Sequence, residues 1–484
     1  MDAKDLNTKQ FECCIVGAGP AGLGAALELV EHGVTDILII DKNTTVGGLS
    51  RTVIFDDVRF DIGPHRFFTR NKEVLKIWHD TLGSDFKPVS RLTRICYNGK
   101  FFGYPINPLE ALVKLGPAES LRAGLSYIFS QIGIKNKAVT FEEWIVQRFG
   151  RKLYETFFKV YTEKVWGIPC NQIGAEWAAQ RIKGLDAFEV IKNSLLGDKS
   201  RKIKTLVEEF DYPVLGAGEM YEALCDKVLS RGAKLMLDTR ISGFNRQGQT
   251  IESVDVIQSD LSKTRIEARH FFSSIPLAHF FLMLDPPDPV PVNHAAKMLG
   301  YRDHITVQLL AGKLNLFPDQ WIYIHSPDIQ MARVANYNNF SKAMLGGKNK
   351  SALSAEYFVF KNTDLWNEPD ERLGELAVNE LSSMGLLDKK DVEKTWVVRE
   401  SEAYPAYYMG YQKPYTLLKS RVNEFTNFYP IGRGGLHKYN NQDHSIMSGI
   451  VAARNYLKTP GSPYPLWDIN IDAEYQENAP RLTK

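Results

Sequence analysis

The segment Gly432-Arg433-Gly434-Gly435-Leu436-His437-Lys438-Tyr439-Asn440-Asn441-Gln442-Asp443-His444-Ser445 sets an arginine, a tyrosine, amides and histidine among glycines, then runs into an apolar helical pattern. A loop this polar has no evident structural purpose of its own and reads as one half of a cofactor site. The other half stands at the opposite end of the chain. Phe11 to Val16 is an apolar strand pattern, Gly17-Ala18-Gly19-Pro20-Ala21-Gly22 follows at once, and Leu23 to His32 has helical spacing closed by Gly33. In such a turn Gly17 permits the tight bend, Gly19 lets the backbone approach a pyrophosphate, and Gly22 lets helix pack on strand. The helix N-terminus adds partial positive charge. Asp36 to Ile40 is a second apolar strand ending in Asp41, 19 residues past Gly22, where a carboxylate accepts from ribose hydroxyls. Strand, glycine turn, helix, strand and acid together predict a dinucleotide site.

These residues need a large frame. The chain has 484 residues, enough for two to four domains. With 44% hydrophobic and 24% charged residues it has ordinary globular composition. Basic and acidic residues nearly balance, 59 against 57, so nothing points to nucleic acid or an anionic membrane surface. Five cysteines have neither metal-ligand spacing nor disulfide density, which fits a reducing, cytoplasmic setting. Met1 to Gln10 lacks the basic and apolar regions of a secretion signal. The apolar run Cys13 to Val30 is interrupted by four glycines, so no integral membrane segment is expected.

Helical patterns dominate from Pro108 to Asn193: Leu109 to Leu115, Ala118 to Gly133, Thr140 to Gly150 and Lys152 to Thr162, with Thr140 and Glu143 placed as a capping box. The turn around Gly216 and Gly218 suggests re-entry into the nucleotide domain. Lys234 to Phe244 and Thr250 to Ile257 read as paired strands, and His270 to Ile275 as another. Ile305 to Leu310, Trp321 to His325 and Leu353 to Phe360 alternate as an antiparallel sheet, with a polar loop from Asn339 to Ser351. The expected architecture is α/β: a Rossmann-like dinucleotide-binding domain, discontinuous over 11–70, 205–275 and 425–459, a helical insert at 106–200, and an antiparallel-sheet substrate domain at 71–105 and 276–424. The tail, 460–484, is a candidate to wrap the surface or to serve an oligomer contact.

Asp41 followed by Gly47-Gly48-Leu49-Ser50-Arg51, and then Asp61-Ile62-Gly63-Pro64-His65, resembles the signature of glutathione-reductase-type FAD proteins, in the branch that holds amine oxidases, protoporphyrinogen oxidases and sugar mutases. Further motifs in order are Asn98-Gly99-Lys100 to Tyr104-Pro105, Phe141 to Val146, Lys164 to Pro169, Trp177 to Arg181, Ala332 to Ala335, Tyr404-Pro405 and Arg433 to Ser445. Over roughly residues 12 to 457 this order resembles UDP-galactopyranose mutases, especially the eukaryotic branch.

The resemblance implies an FAD-dependent nucleotide-sugar mutase. Reduced flavin N5 would attack the anomeric carbon, with no net redox change and with NAD(P)H as a candidate reductant. It implies that Arg181 and Arg333 clamp the diphosphate, whose charge grows as the glycosidic bond breaks, and that His65 lies near the flavin's reactive edge. Tyr104, Trp166, Tyr323, Tyr404 and Tyr439 would bind substrate. The cofactor would be held by Gly17, Gly19, Pro20, Ala21, Gly22, Asp41, Lys42, Gly48, Leu49, Ser50, Gly63, His65, Ile241, Arg433, Asn441, Gln442, Asp443 and Ser445. His444 reads as a helix-end hydrogen bonder.

The chain departs from the family at three places. Pro64 replaces a glycine and removes a backbone donor, Thr162 stands where the eukaryotic enzymes carry a base-contacting asparagine, and Phe340 stands where they carry a substrate tyrosine. Base and sugar are therefore left open. The alternatives are a net oxidoreductase of the amine oxidase or protoporphyrinogen oxidase type, whose site would be apolar, and a non-catalytic flavin-binding protein.

Overall fold

The computed structural model describes residues 10–106, 108–132, 137–175 and 209–469. Among them, two large sheets carry the architecture. The first has the order Leu284–Asp285, Thr239–Gln247, Thr250–Gln258, Lys263–Ser273, Gln10–Val16, Ile37–Ile40, Lys234–Met236, with Phe428–Pro430 beside Lys263–Ser273. Its centre is parallel: Gln10–Val16 pairs in parallel with both Lys263–Ser273 and Ile37–Ile40. Cys13, Cys14, Ile15 and Ile37 to Ile39 are fully buried, as expected for strands covered on both faces. This is the Rossmann-like half of the expected α/β fold.

Helix Pro20–Glu31 packs on this sheet, and helix Gln442–Leu457 packs on that helix. Their backbones nearly touch: a Cβ at Gly449 would lie 2.0 Å from the Ala21 carbonyl oxygen, and one at Gly24 would lie 2.7 Å from that of Ile446. Arg454 fastens the far end, its Nε donating to Glu28 at 2.8 Å. The N-terminal glycine loop and the C-terminal polar segment are joined through this crossing.

The second sheet runs Val392–Pro405, Tyr301–Ala311, Ser351–Val359, Arg333–Asn336, Trp321–Ile324, Thr93–Tyr97, Lys100–Gly103. It is antiparallel except where Trp321–Ile324 runs parallel to Thr93–Tyr97. A cross-strand row, Tyr323 to Arg333 to Glu356 to Thr306, puts these side chains on one face.

Several sequence expectations are corrected in detail. Lys234 to Phe244 is not one strand. It breaks before Thr239, where Asp238 has φ +51° and its N–H donates to the Asn43 carbonyl, turning Thr239–Gln247 toward Asp41. Val392–Pro405 and helix Asp370–Ser383 escaped notice, because their exposed faces are rich in charge and blur the apolar period. Asn339 to Ser351 is not simply a polar loop, since Met344 and Leu345 in a short 3-10 turn are buried. Lys152 to Thr162 contains a π-helical stretch, Glu155–Lys159, and the helix continues to Trp166. The Thr140–Glu143 capping box is present, Glu143 N–H donating to Thr140 Oγ1 at 3.2 Å. No helix among the described residues is long and apolar enough to cross a membrane, and all five cysteines are buried and free.

Candidate active site

A cleft of about 1300 Å³ opens at the carboxyl ends of the parallel strands and extends to the second sheet. Both helix N-termini reach it, through Gly19, Pro20 and Ala21 and through Asn441 to Ser445. Gly17 at φ +107° makes the first turn, and a Cβ there would collide with Ser274 Oγ at 2.0 Å. Gly48 approaches Gly19 so closely that its Cβ would lie 3.2 Å from the Gly19 Cα. The double glycine therefore closes over the first glycine loop, and a bound phosphate would meet backbone there rather than side chains. Gly22 does not line the cleft. Its Cβ would fall 1.8 Å from the Gly17 carbonyl oxygen, so it serves the packing of helix on loop.

Asp41 does more than face a ligand. Its Oδ2 accepts from Ala18 N–H at 2.7 Å, and its Oδ1 accepts from Asn43 N–H at 2.8 Å and Asn43 Nδ2 at 2.9 Å. The acid holds the glycine loop in shape while it lines the cleft with Lys42 and Ile241. At the other helix end Asn441 is the N-cap and His444 Nδ1 accepts from its N–H at 3.3 Å. Thr69 Oγ1 donates to Asp443 at 2.9 Å, and Tyr221 donates to Gln442 Oε1 at 2.5 Å.

Leu49, Ser50, Gly63 and His65 line the wall between the two helix ends. His65 Nε2 lies 2.9 Å from the Leu49 carbonyl oxygen, which places the ring proton on Nε2. Burial first, then the charges of Arg333 and Arg433, lower its pKa to about 4, so the imidazole is neutral at neutral pH.

Arg333 faces the cleft across a two-point ion pair with Glu356: Nε to Oε1 at 2.6 Å and Nη2 to Oε2 at 2.5 Å. His304 Nε2 lies 3.0 Å from the same Oε2. Burial works to raise the Glu356 carboxyl, but Arg333 and His304 overcome it and hold it at about 2. Gly63 is a glycine for a local reason, since a Cβ there would sit 2.7 Å from Glu356 Oε2. Arg433 Nε and Nη1 donate to the Asn440 and Ala403 carbonyls, each at 3.0 Å, with the guanidinium over the rings of Tyr404 and Tyr439. Those two rings stack 5.6 Å apart. Beyond its flavin assignment, Arg433 thus ties the C-terminal segment to the end of strand Val392–Pro405.

Of the expected substrate residues, Tyr323, Tyr404 and Tyr439 line the cleft. Tyr104 and Trp166 do not. Tyr104 packs behind Tyr323, ring centres 5.0 Å apart, and Trp166 packs behind Tyr439 at 6.1 Å. Both are one layer back because a tyrosine from another element fills the wall in front of them. Phe340 is also off the cleft, buried against Tyr212 and Trp321. Arg181 and its motif lie outside the described residues.

Sequence reading overlooked Arg51, whose ion pair with Glu400 is buried in the cleft wall, and Arg66 and Arg70 just after His65. It also overlooked Tyr407, Tyr408, Tyr411 and Tyr415, although their spacing after Tyr404 is legible. His437 was seen only as part of a polar segment. It is 1% exposed, with Tyr301, Tyr407, Tyr411 and Tyr415 around it, and neither ring nitrogen has a hydrogen-bond partner among the described residues. Ten Lys or Arg residues against five Asp or Glu line the cleft, which favours an anionic ligand over an apolar one.

Residues 15–81 match the family model of the NAD(P)-binding Rossmann-like domain. The chain is 32% identical over 178 residues to a probable UDP-galactopyranose mutase of Klebsiella pneumoniae, a stretch covering 35% of this chain and 44% of that protein. It is 28% identical over 170 residues to a dTDP-fucopyranose mutase of Escherichia coli, covering 33% and 43%. The sequence matches thus span less than half the length of either relative. The fold is similar over nearly its whole length to a crystal structure of reduced UDP-galactopyranose mutase, with a TM-score of 0.78, 21% identity, and coverage of 93% of this chain and 96% of that one. The likeness to the mutases read from the ordered motifs is thus found again in sequence and in fold.

Proposed function

We propose that the protein is an FAD-dependent nucleotide-sugar mutase that interconverts pyranose and furanose forms, acting as an isomerase in polysaccharide biosynthesis in the cytoplasm. The glycine loops, the two helix N-termini and the volume of the cleft fit FAD: its diphosphate would lie at Gly17 to Ala21 and its ribose toward Asp41. His65, Gly48 to Ser50 and Asn441 to Ser445 would surround the ring system. When bound and reduced, the flavin supplies a nucleophilic nitrogen for the anomeric carbon, and NAD(P)H is the proposed reductant.

The chain's own residues do the rest. Arg333 carries the reading. Glu356 engages its Nε and one Nη2 proton, which leaves Nη1 and the second Nη2 proton to meet a phosphate end-on. Fixed donors stabilise charge as it grows on the leaving phosphate without having to reorganise. Tyr323, Tyr404 and Tyr439 offer hydroxyls and ring faces to sugar and base. His65, neutral and committed through Nε2 to Leu49, holds the cofactor wall and adds no competing cation. Arg181 is proposed as the second diphosphate clamp. The relatives' names cover two sugars and two bases, in keeping with the open identity of the substrate here.

The test is isomerisation of a panel of nucleotide sugars by dithionite-reduced and by oxidised protein. Activity in the reduced state alone supports the proposal. Equal activity in both states rejects the flavin step, and hydrogen peroxide formed in step with an oxidised product moves the protein to the oxidoreductases.

A further inference from the structure

The Lys164 ammonium bonds to backbone rather than to a carboxylate. It donates to three carbonyls: Ser326 at 2.8 Å, Ile324 at 3.0 Å and Met331 at 3.3 Å. An ammonium carries three protons and no acceptor, so its bonding capacity is fully spent there. Lysine is seldom drawn out of water without a counter-charge, so the placement costs stability and calls for a purpose.

All three carbonyls belong to one hairpin. Ile324 ends strand Trp321–Ile324, and Met331 lies two residues ahead of Arg333, where strand Arg333–Asn336 begins. The two arms carry Tyr323 and Arg333, direct cross-strand partners that both line the cleft. Glu380, on helix Asp370–Ser383, holds the same turn by its amides: it accepts from the N–H of Gln330 and from that of Met331, the latter at 3.0 Å. A cation on the carbonyls and an anion on the amides thus grip one turn, and Met331 is held by both.

Lys164 itself stands on helix Val160–Trp166, which backs the tyrosine wall. Tyr161 meets Tyr323 edge-on with ring centres 5.3 Å apart, and Trp166 lies behind Tyr439. Arg302 fixes the end of this helix, donating to the Lys164 and Val165 carbonyls at 3.0 and 3.1 Å and to that of Phe358 at 2.6 Å. We infer that Lys164 is the positioning residue for Arg333: it sets the hairpin against the helix and so fixes the separation between the guanidinium and the tyrosine wall, where a substrate diphosphate would lie. The inference rests on the phosphate role proposed for Arg333. Glu356 orients the guanidinium within its own sheet, and Lys164 places that sheet's hairpin relative to the helix.

The grip depends on a proton. Burial lowers the ammonium to about 8, with Glu380, Asp328 and Cys96 acting in the other direction. His325 beside it is lowered to about 3, burial pushes the Cys96 thiol up, and Arg302 is lowered only to about 10, so none of these changes charge near pH 8. The neutral amine keeps two protons and turns a lone pair on the third carbonyl.

The test is calorimetric binding of UDP, dTDP and inorganic pyrophosphate to the full-length, flavin-loaded, oxidised protein, the two nucleotides being those in the relatives' names. Lys164→Ala is expected to weaken binding about tenfold or more with flavin content unchanged. Propylammonium, which restores the deleted carbons and nitrogen, should recover most of that loss, whereas tetramethylammonium, a cation without N–H donors, should not. Wild-type affinity should fall severalfold between pH 7 and 9, and Lys164→Arg, which stays protonated, should give a flat profile. Binding lost in Arg333→Ala but unchanged in Lys164→Ala overturns this inference alone. Binding unchanged in Arg333→Ala, or wild type that binds none of the three, rejects the phosphate reading and this inference with it. A loss that propylammonium does not restore, or a fall with pH that persists in Lys164→Arg, gives Lys164 a role in stability only and also overturns it. Should Lys164→Ala fail to fold, the pH profiles of wild type and Lys164→Arg decide.

Discussion

Arg333 and Glu356 are direct partners across an antiparallel ladder, and their side chains repeat that pairing as a two-point ion pair at the cleft wall. Backbone register thus determines how the guanidinium is presented. Glu356 is fully buried while the Arg333 side chain is 17% exposed, so the arginine works as the solvent-facing end of a fixed unit.

Replacing Arg333 should separate substrate from cofactor. Arg333→Ala is expected to lower kcat/KM about 10²-fold or more on any accepted nucleotide sugar, since charge-assisted bonds to phosphate are worth about 1.5–3 kcal/mol, and more in a dry site. Arg333→Lys keeps the charge, loses the fork and should also be impaired. Flavin content should stay near wild type in both. Full activity in both variants would reject the phosphate role.

Glu356→Gln should damage stability before chemistry. Removing one partner of a buried pair costs about 3–5 kcal/mol, because the remaining charge is stranded. Thermal unfolding of the variant should begin well below that of wild type. Within the wild type, a carboxyl held at about 2 contributes stability that is complete above its ordinary 4.5 and is lost as pH falls toward 2.

Buried neutral histidines give a second pH dependence at milder acidity. Burial and nearby cations lower His65 to about 4 and His325 to about 3, and burial alone lowers His437 to about 3. Below their ordinary value near 6.5 the unfolded chain takes up protons that the folded chain refuses, so stability should fall as pH drops from 6.5 toward 4. Asp61, raised by burial to about 6, works the other way between 6 and 3.8, as do Glu219, Asp303 and Glu380, which burial also raises; the lowered histidines, His270 among them, act first, as pH falls through 6.5. The melting temperature should be lower at pH 5 than at pH 7.5. His437→Phe, which removes two unpartnered ring nitrogens, should raise it and flatten the slope. A melting temperature that climbs toward pH 5 would contradict this account.

Arg433→Ala should loosen the dinucleotide. The side chain ties Asn440 to Ala403, so without it the segment ahead of helix Gln442–Leu457 loses its anchor to the second sheet. Faster flavin release on dilution or mild chaotrope is the expected readout, with secondary structure retained.

Gly449→Val should be worse. Its side chain would have to displace the Ala21 carbonyl, separating the two helices that carry the cofactor cradle. Little soluble protein and no bound flavin are expected, whereas Gly33→Ala, with nothing within 4 Å of its Cβ, should cost only what a positive φ of 84° imposes.

The readable part of the site was the part built from local constraints. Gly17, Gly19 and Asp41 act within a single strand-turn-helix-strand unit, so their spacing announces them. Glu356 was not readable, because its meaning depends on register across a hairpin 23 residues from Arg333. His304 depends on the next strand again. Tyr104 and Trp166 were placed at the substrate by their motifs, but whether an aromatic forms the wall or backs it is decided by which neighbour arrives from another element. The break before Thr239 hid for the same reason: Asn43, from a loop nearly two hundred residues away, receives the hydrogen bond that sets it. His437 was invisible as a buried residue because a histidine among polar neighbours gives no sign of its tyrosine surroundings.

The crossing of helix Pro20–Glu31 with helix Gln442–Leu457 has a consequence for biosynthesis. The two halves of the cradle are separated by some four hundred residues of chain, so the glycine loop leaves the ribosome long before its partner exists. At about 5–20 residues per second the interval is roughly 20–80 s. During that time the first half has a phosphate-sized turn but no opposite wall, and Ala21 and Gly24 lie bare where Ile446 and Gly449 will come to rest. Dinucleotide loading is therefore an event that follows translation through Leu457, and a nascent chain stalled earlier should hold none, however complete its glycine fingerprint.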